Sequence, residues 1–253
     1  MKLSRLRWCV LLQLAKAWRF GLSVSISRVI KVFNLNSSLV YGFLRELEED
    51  GLAERTQRGW WALSNTRRAR VLAEYILESV NDGIHDYWVK HVPEVYYYIA
   101  EPPSVEWLGY PSEALVIVDE RLKNGLKPPS GYRVIYTDMR GRRWRYEWSL
   151  GYSRGLPEQS IADLLSYDSS YPVEQYILSN ISRVDLDEVA KKATAKGLKR
   201  LSTFLAFLRL ATGKLLPTGF NYLTLLDEGV LNEKLSEYTM LIFANNVAEE
   251  RRL

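Results

Sequence analysis

The stretch NSSLVYGFLRELEEDGL, residues 36–52, carries both of its ends in its sequence. Asn36, Ser37 and Ser38 offer side-chain oxygens to the free N–H groups of a first helical turn. Val40, Leu44 and Leu47 then recur at helical spacing, and Gly51 supplies the residue that most easily turns left-handed to stop a helix. An amphipathic helix with a fixed start and stop is the consequence. The residues that follow, LAERTQRGWWALS over 52–64, read as two short strands about a basic turn. Leu52, Glu54 and Thr56 alternate weakly along one strand and Trp60, Ala62 and Ser64 along the other, with Arg55, Gln57, Arg58 and Gly59 at the tip.

Upstream, residues 3–18 place Leu3, Leu6, Val10, Leu11, Leu14 and Trp18 on one side and Arg5, Gln13 and Lys16 among the others, which predicts a helix with outward polar positions. A second helix is expected from Ile26 to Phe33, capped by Ser23 or Ser25 and packing Val29, Ile30 and Phe33 on the first. Three helices, a glycine stop and a basic hairpin follow the order of a winged helix-turn-helix. The expected fold class is therefore α+β: an N-terminal winged helix-turn-helix DNA-binding domain over residues 1–70, then a mixed α+β domain with a helical C-terminal part over 71–253.

Within the third helix, Ser37, Ser38, Tyr41 and Arg45 share a side away from the core. Short hydrogen-bonding groups, an aromatic ring and a guanidinium suit a helix laid in the major groove. Arg55, Gln57 and Arg58 at the hairpin tip suit the phosphate backbone or the minor groove. These seven are the candidate DNA-binding residues, with Trp60 and Trp61 assigned to the small core. Charge agrees: residues 1–70 hold thirteen Lys and Arg against five Asp and Glu, a net +8, while residues 71–253 total −4. Double-stranded DNA is the expected partner of the basic part. A further helix, Thr66 to Val80, opens with Arg67, Arg68 and Arg70, which either reach phosphates or stand in solvent, and continues with Val71, Leu72, Tyr75, Ile76 and Leu77.

From Asp82 onward strands and turns are expected. Glu94 to Ala100 and Ala114 to Val118 are rich in β-branched and aromatic residues, with a break at Pro102-Pro103 and a short helix over 104–108 between them. Tyr132 to Thr137 and Arg142 to Leu150 read as a hairpin about residues 138–141, with Arg143, Arg145 and Glu147 facing one way and Trp144, Tyr146 and Trp148 the other. Beyond that, helices are expected over 156–166, from Tyr171, from Asp185 to a stop at Gly197, and from Lys199 to Gly213. A last strand is expected over 238–243.

No common catalytic constellation is complete. His85 and His91 are six apart and lack a cysteine pair, so no metal site is expected. The Gly213-Lys214 pair lacks the rest of a phosphate-binding loop. Asp119 and Glu120 with Lys123, or Asp138 with Glu147, are the carboxylates that a metal-dependent nuclease would use; neither set sits in a convincing arrangement, so no catalytic residue, metal or cofactor is expected. The single Cys9 excludes an internal disulfide and fits a reducing cytosol. No run approaches the roughly 20 apolar residues of a membrane span, so a cytoplasmic chain with no membrane partner is expected.

The C-terminal half, LPEQSIADLL from Leu156, YPVEQ from Tyr171, VDLDEVAKKATAKGL from Val184 and the apolar helix ending at Gly213, resembles the C-terminal domain of AbiEi-type proteins. These are antitoxins of type IV toxin–antitoxin systems and related transcriptional regulators. The resemblance implies a winged-helix repressor of its own operon, whose second domain counteracts a partner nucleotidyltransferase toxin, and a homodimer would match a palindromic operator. Two other readings stay open from the residues alone: an adaptor that uses the winged helix as a protein-docking module, and the nuclease above.

Overall fold

The computed structural model describes residues 4–80, 85–100, 114–167, 173–213, 216 and 218–250, with no account of the side chains of 243–250. Among the described residues helices hold 53% and strands 16%, in two sheets, which makes the fold mixed α+β. The chain separates into two compact units, residues 1–99 with 116–155, and residues 100–115 with 156–253. Residue 70, the boundary expected from charge, thus lies inside the first unit. Pro102, Pro103 and the helix expected over 104–108 lie outside the described residues, as do Tyr171 and Pro172.

In the first unit, α1 (Arg5–Trp18), β1 (Val24–Ser25), α2 (Ile26–Phe33), α3 (Ser37–Glu49), β2 (Ala53–Gln57), β3 (Trp60–Leu63) and α4 (Arg67–Glu78) follow in order. Each start has a local cause. Ser4, Asn36 and Thr66 accept the third N–H beyond them with their own side chains. Ser25 precedes α2 without such a bond, and the N–H of Ile26 goes instead to Gly59 O at 3.0 Å, tying α2 to the hairpin turn. The strands form a three-stranded antiparallel sheet in the order β1-β3-β2. Val40, Phe43, Leu44 and Leu47 of α3 are buried.

The polar positions of α1 are not outward. Gln13 and Lys16 are fully buried, along with every residue from Cys9 to Ala17. The Lys16 ammonium donates to one carboxylate oxygen of Glu94, and the Gln13 amide donates to the other. Burial pulls the Lys16 amine below its ordinary pKa even against the attraction of Glu94. Nearby, burial pushes the Cys9 thiol up to about 12. Glu94 also accepts with its backbone carbonyl from Trp144 Nε1 at 2.9 Å and from Ser153 Oγ at 3.2 Å.

Those partners belong to a five-stranded sheet of β4 (Tyr97–Ile99), β5 (Ala114–Asp119), β6 (Tyr132–Thr137), β7 (Trp144–Glu147) and β8 (Tyr152–Gly155), in the order β6-β5-β4-β8-β7. A short helix, α5 (Asp86–His91), precedes it. The hairpin expected between β6 and β7 does not form: they stand on opposite edges, and β7 pairs antiparallel with β8. The central strand explains this. Tyr97, Tyr98 and Ile99 are fully buried, and β4 takes β5 antiparallel on one side and β8 parallel on the other. The aromatic side of β7 is core only at its start: Trp144 is buried and stacks on Tyr98, while Tyr146 is half-buried, 4.9 Å from the ring of Phe33 in α2. Trp148 remains partly exposed beneath Arg5, whose guanidinium carbon lies 3.3 Å from its ring centroid.

The second unit holds α6 (Pro157–Tyr167), α7 (Val173–Ser179), α8 (Leu186–Lys192), α9 (Ala195–Thr212) and α10 (Glu228–Glu250). Two expectations are corrected. Gly197 stops nothing: the chain leaves α8 at Ala193, Thr194 caps α9, and Gly197 lies in the first turn of α9. Its lack of a side chain serves packing, since a Cβ there would stand 3.1 Å from Ser166 Cα, and the Ser166 hydroxyl accepts from Thr194 N at 3.0 Å. The strand expected over 238–243 is part of α10. Its Tyr238 is buried against Phe204 at 5.1 Å and donates to Glu174 Oε1, which with Oε2 holds Arg200 in a buried bidentate pair.

Candidate nucleic-acid interface

Helix α3 divides along its length. From Ser37 to Arg45 it presents Ser37, Ser38 and Arg45 to solvent and Tyr41 in part. The four lie on another side than Val40, Leu44 and Leu47, and Ser37 and Ser38 stand at the positive end of the helix dipole. The second half carries Glu46, Glu48, Glu49 and Asp50, with no cation in its last turn. Glu46 is engaged by Arg7 at 2.7 Å; the other three line the helix end that phosphates would repel. The side of α3 from Ser37 to Arg45 is therefore the one on which a polyanion would meet least repulsion. Leu39, 63% exposed beside these residues, is an apolar surface group that core periodicity gave no reason to notice.

The hairpin sorts its residues by register. Ala53 faces Leu63, Arg55 faces Trp61 and Val24 faces Trp61, so all five share one face of the small sheet. Four of them are buried, and Arg55 extends that face outward as the exposed member. Between Arg55 and Gln57 the register slips by one residue at Thr56, which is why the sequence alternates so weakly there. After the bulge Gln57 pairs with Trp60, on the other face with Glu54 and Ala62. The candidate set is thus not brought together as one: Arg55 is on the face that covers the core, Arg58 is at the turn where Gly59 takes φ 78°, and Gln57 points the other way. The tryptophans divide likewise. Trp61 is buried, whereas Trp60 is half-buried with the Arg121 guanidinium 5.3 Å from its ring.

Charge in the first seventy residues is not all available to a ligand. Lys16 is neutralised by Glu94, just before β4, and Arg28 lies 3.5 Å from Asp119 of β5, so two cations are met by carboxylates from outside the basic stretch. Arg7 is held by Glu46, and Arg5 stacks on Trp148. Among the described residues Lys31, Arg45, Arg55, Arg58, Arg67, Arg68 and Arg70 make no ion pair and are not buried. Lys31 was not singled out by periodicity. It lines an open groove of about 680 Å³ at the α3 N-cap with Arg5, Asn34, Asn36 and Arg145. The helix-dipole end of α3, Lys31 and Arg145, the last paired with Glu147 of the same lining, thereby share one concave surface of net positive charge.

The carboxylates considered for catalysis have other work. Asp119 accepts from Arg121 at 2.8 Å through both oxygens, Asp138 binds Arg140, and Glu147 meets Arg145 at 3.1 Å and Arg154 at 3.6 Å. His85 Nδ1 lies 3.0 Å from the Tyr132 hydroxyl. No group of three or more His, Cys, Asp or Glu among the described residues is placed to hold a metal ion, and no helix among them is long and apolar enough to cross a membrane. No protein-family model, no curated protein and no solved structure matches this chain.

Proposed function

We propose that α1 to β3 is a winged helix-turn-helix and that the chain is a DNA-binding transcriptional regulator. The exposed side of α3 from Ser37 to Arg45 enters the major groove, Ser38, Tyr41 and Arg45 meet base edges, and Arg55 and Arg58 hold the adjacent backbone. The observation that carries this reading is the set of open arginines. Arg45, Arg55 and Arg58 have no carboxylate partner in a unit where Lys16, Arg7 and Arg28 all have one. An exposed unpaired guanidinium contributes little to folding and is well suited to phosphate. From the resemblance of the second unit to AbiEi-type proteins, the regulator would repress its own operon and restrain a nucleotidyltransferase toxin. A neighbouring gene for such a toxin, relieved of its toxicity by this chain, is the check on that part.

DNA binding is tested by fluorescence anisotropy on duplexes over a salt series. Log affinity should fall against log salt by about 0.9 for each phosphate neutralised. Arg55→Ala with Arg58→Ala should weaken all duplexes and make the slope shallower by about 1.8. Arg45→Ala or Tyr41→Ala should cost about 1–3 kcal/mol on the preferred site and little on random sequence. No affinity at low salt, or indifference to both sets of changes, defeats the proposal.

A further inference from the structure

Helix α4 exposes an apolar stripe that nothing among the described residues covers. Ala69, Ala73 and Ile76 are buried on one side. On the opposite side Val71 is 58% and Tyr75 is 64% exposed. Leu52 and Leu72 continue the apolar surface into an open groove of about 530 Å³, with Arg67 and Arg68 at its end. Charges bracket the stripe in a particular order: Arg67, Arg68 and Arg70 at the N-terminal end, Glu74 and Glu78 at the C-terminal end, all exposed and none in an ion pair.

That order is wrong for a solitary helix. A helix carries partial positive charge at its N-terminus and partial negative charge at its C-terminus, so cations are disfavoured in the first turn and anions in the last. Helix α4 has no acidic residue in its first turn and no basic residue in its last. Placed antiparallel to a copy of itself, the same arrangement is complementary. The positive end of one helix, with its arginines, lies against the negative end and glutamates of the other.

We propose that α4 is a homodimer interface, the second copy docking antiparallel about a twofold axis midway along the helix. The register follows from the sequence. An axis halfway between Arg67 and Glu78 sets each Arg67 opposite the partner's Glu78, and Val71 and Tyr75 of the two copies meet in the centre. On the helical wheel Arg67 and Glu78 lie on the same flank of the stripe, as a twofold requires. Tyr75, with an apolar ring, a polar tip and few rotors, is a suitable central anchor. One helix face is a small interface, so the dimer exchanges with monomer.

The dimer is measured on the full chain without DNA, by sedimentation equilibrium from about 1 µM to about 1 mM, the range of a weak interface. The result therefore stands whatever the DNA assays give. Tyr75→Ser should shift the chain toward monomer. Arg67→Glu alone and Glu78→Arg alone should each weaken dimerisation by about tenfold by bringing like charges together. The chain carrying both changes should dimerise like the parent, because the pair is restored with reversed sign. Misfolding cannot imitate this pattern: each single change improves the match to the helix dipole, so each should raise the thermal midpoint while weakening the dimer. A chain that stays monomeric throughout the range assigns the stripe to another occupant and overturns the proposal. So does a dimer indifferent to Tyr75→Ser and to both charge reversals.

Discussion

Lys16 and Arg55 come from the same basic N-terminal stretch and end in opposite circumstances. Lys16 is sealed in the first unit with Glu94 and Gln13, its charge answered within hydrogen-bond distance. Arg55 stands at the end of a sheet face whose other members are buried, with no partner at all. A net charge of +8 in residues 1–70 treats the two alike. Folding separates them, because a buried cation costs several kcal/mol unless a carboxylate meets it, while an exposed one costs almost nothing to leave open. What the sequence counts as one basic region is therefore two populations: cations that hold the fold and cations left free for a ligand.

The comparison is broken most directly at Glu94. Replacing it by alanine strips Lys16 and Gln13 of their common acceptor and leaves a buried ammonium, and should cost about 3–5 kcal/mol of unfolding free energy in urea. Changing Lys16→Met and Glu94→Gln together removes both charges and keeps an amide for Gln13. That double variant should lose clearly less than Glu94→Ala. Equal losses would mean that packing alone holds this region and that the charges carry no share of it.

How much of this was legible depends on how far away the cause lies. Helix α2 is read to the residue, and α3 with its Asn36 cap and Gly51 stop nearly so, because their signals are local. The hairpin is placed correctly as well, but the bulge at Thr56, which sends Gln57 to the far face, leaves only a blurred alternation behind. Gln13 and Lys16 read as outward because a polar or charged residue in a helix usually is; Glu94 lies far along the chain, in the turn before β4, and gives no local sign. The pairing of β7 with β8 instead of β6 turns on a central strand that takes neighbours on both sides. Gly197 looks like a stop until Ser166 is seen against it. Tyr238 to Phe243 has strand-like residues, yet Tyr238 is buried against Phe204 and Phe207 on the neighbouring helix, and tertiary packing prevails over propensity.

A smaller effect sharpens the same comparison at the edge of the open surface. Asn36 accepts from the N–H of Leu39 at 3.2 Å and also lines the cationic groove. Asn36→Ala should lower stability by about 1 kcal/mol through the lost cap, and Asn36→Asp should restore it. If α3 enters the major groove, as proposed, the aspartate variant at its N-cap should fold as well as the parent and bind DNA less well. A residue at the margin of the two populations would then show both roles apart, stability following the cap and affinity following the charge.

The smallest expected effect tests the open population itself. Arg55 and Arg58 make no ion pair, and no side-chain hydrogen bond involves either. Changing both to alanine should leave unfolding free energy within about 0.5 kcal/mol of the parent. Any residual change should favour the variant at low salt, since it removes two like charges from one hairpin in a basic region. That difference should close as the screening length falls from about 10 Å at 0.1 M to about 3 Å at 1 M salt. A loss above about 1 kcal/mol that persists in high salt would show these arginines to be part of the hairpin's own packing. The division between structural and free cations would then fail at its central case, even if the same variant bound DNA more weakly, because unfolding of the hairpin would explain the weaker binding equally well.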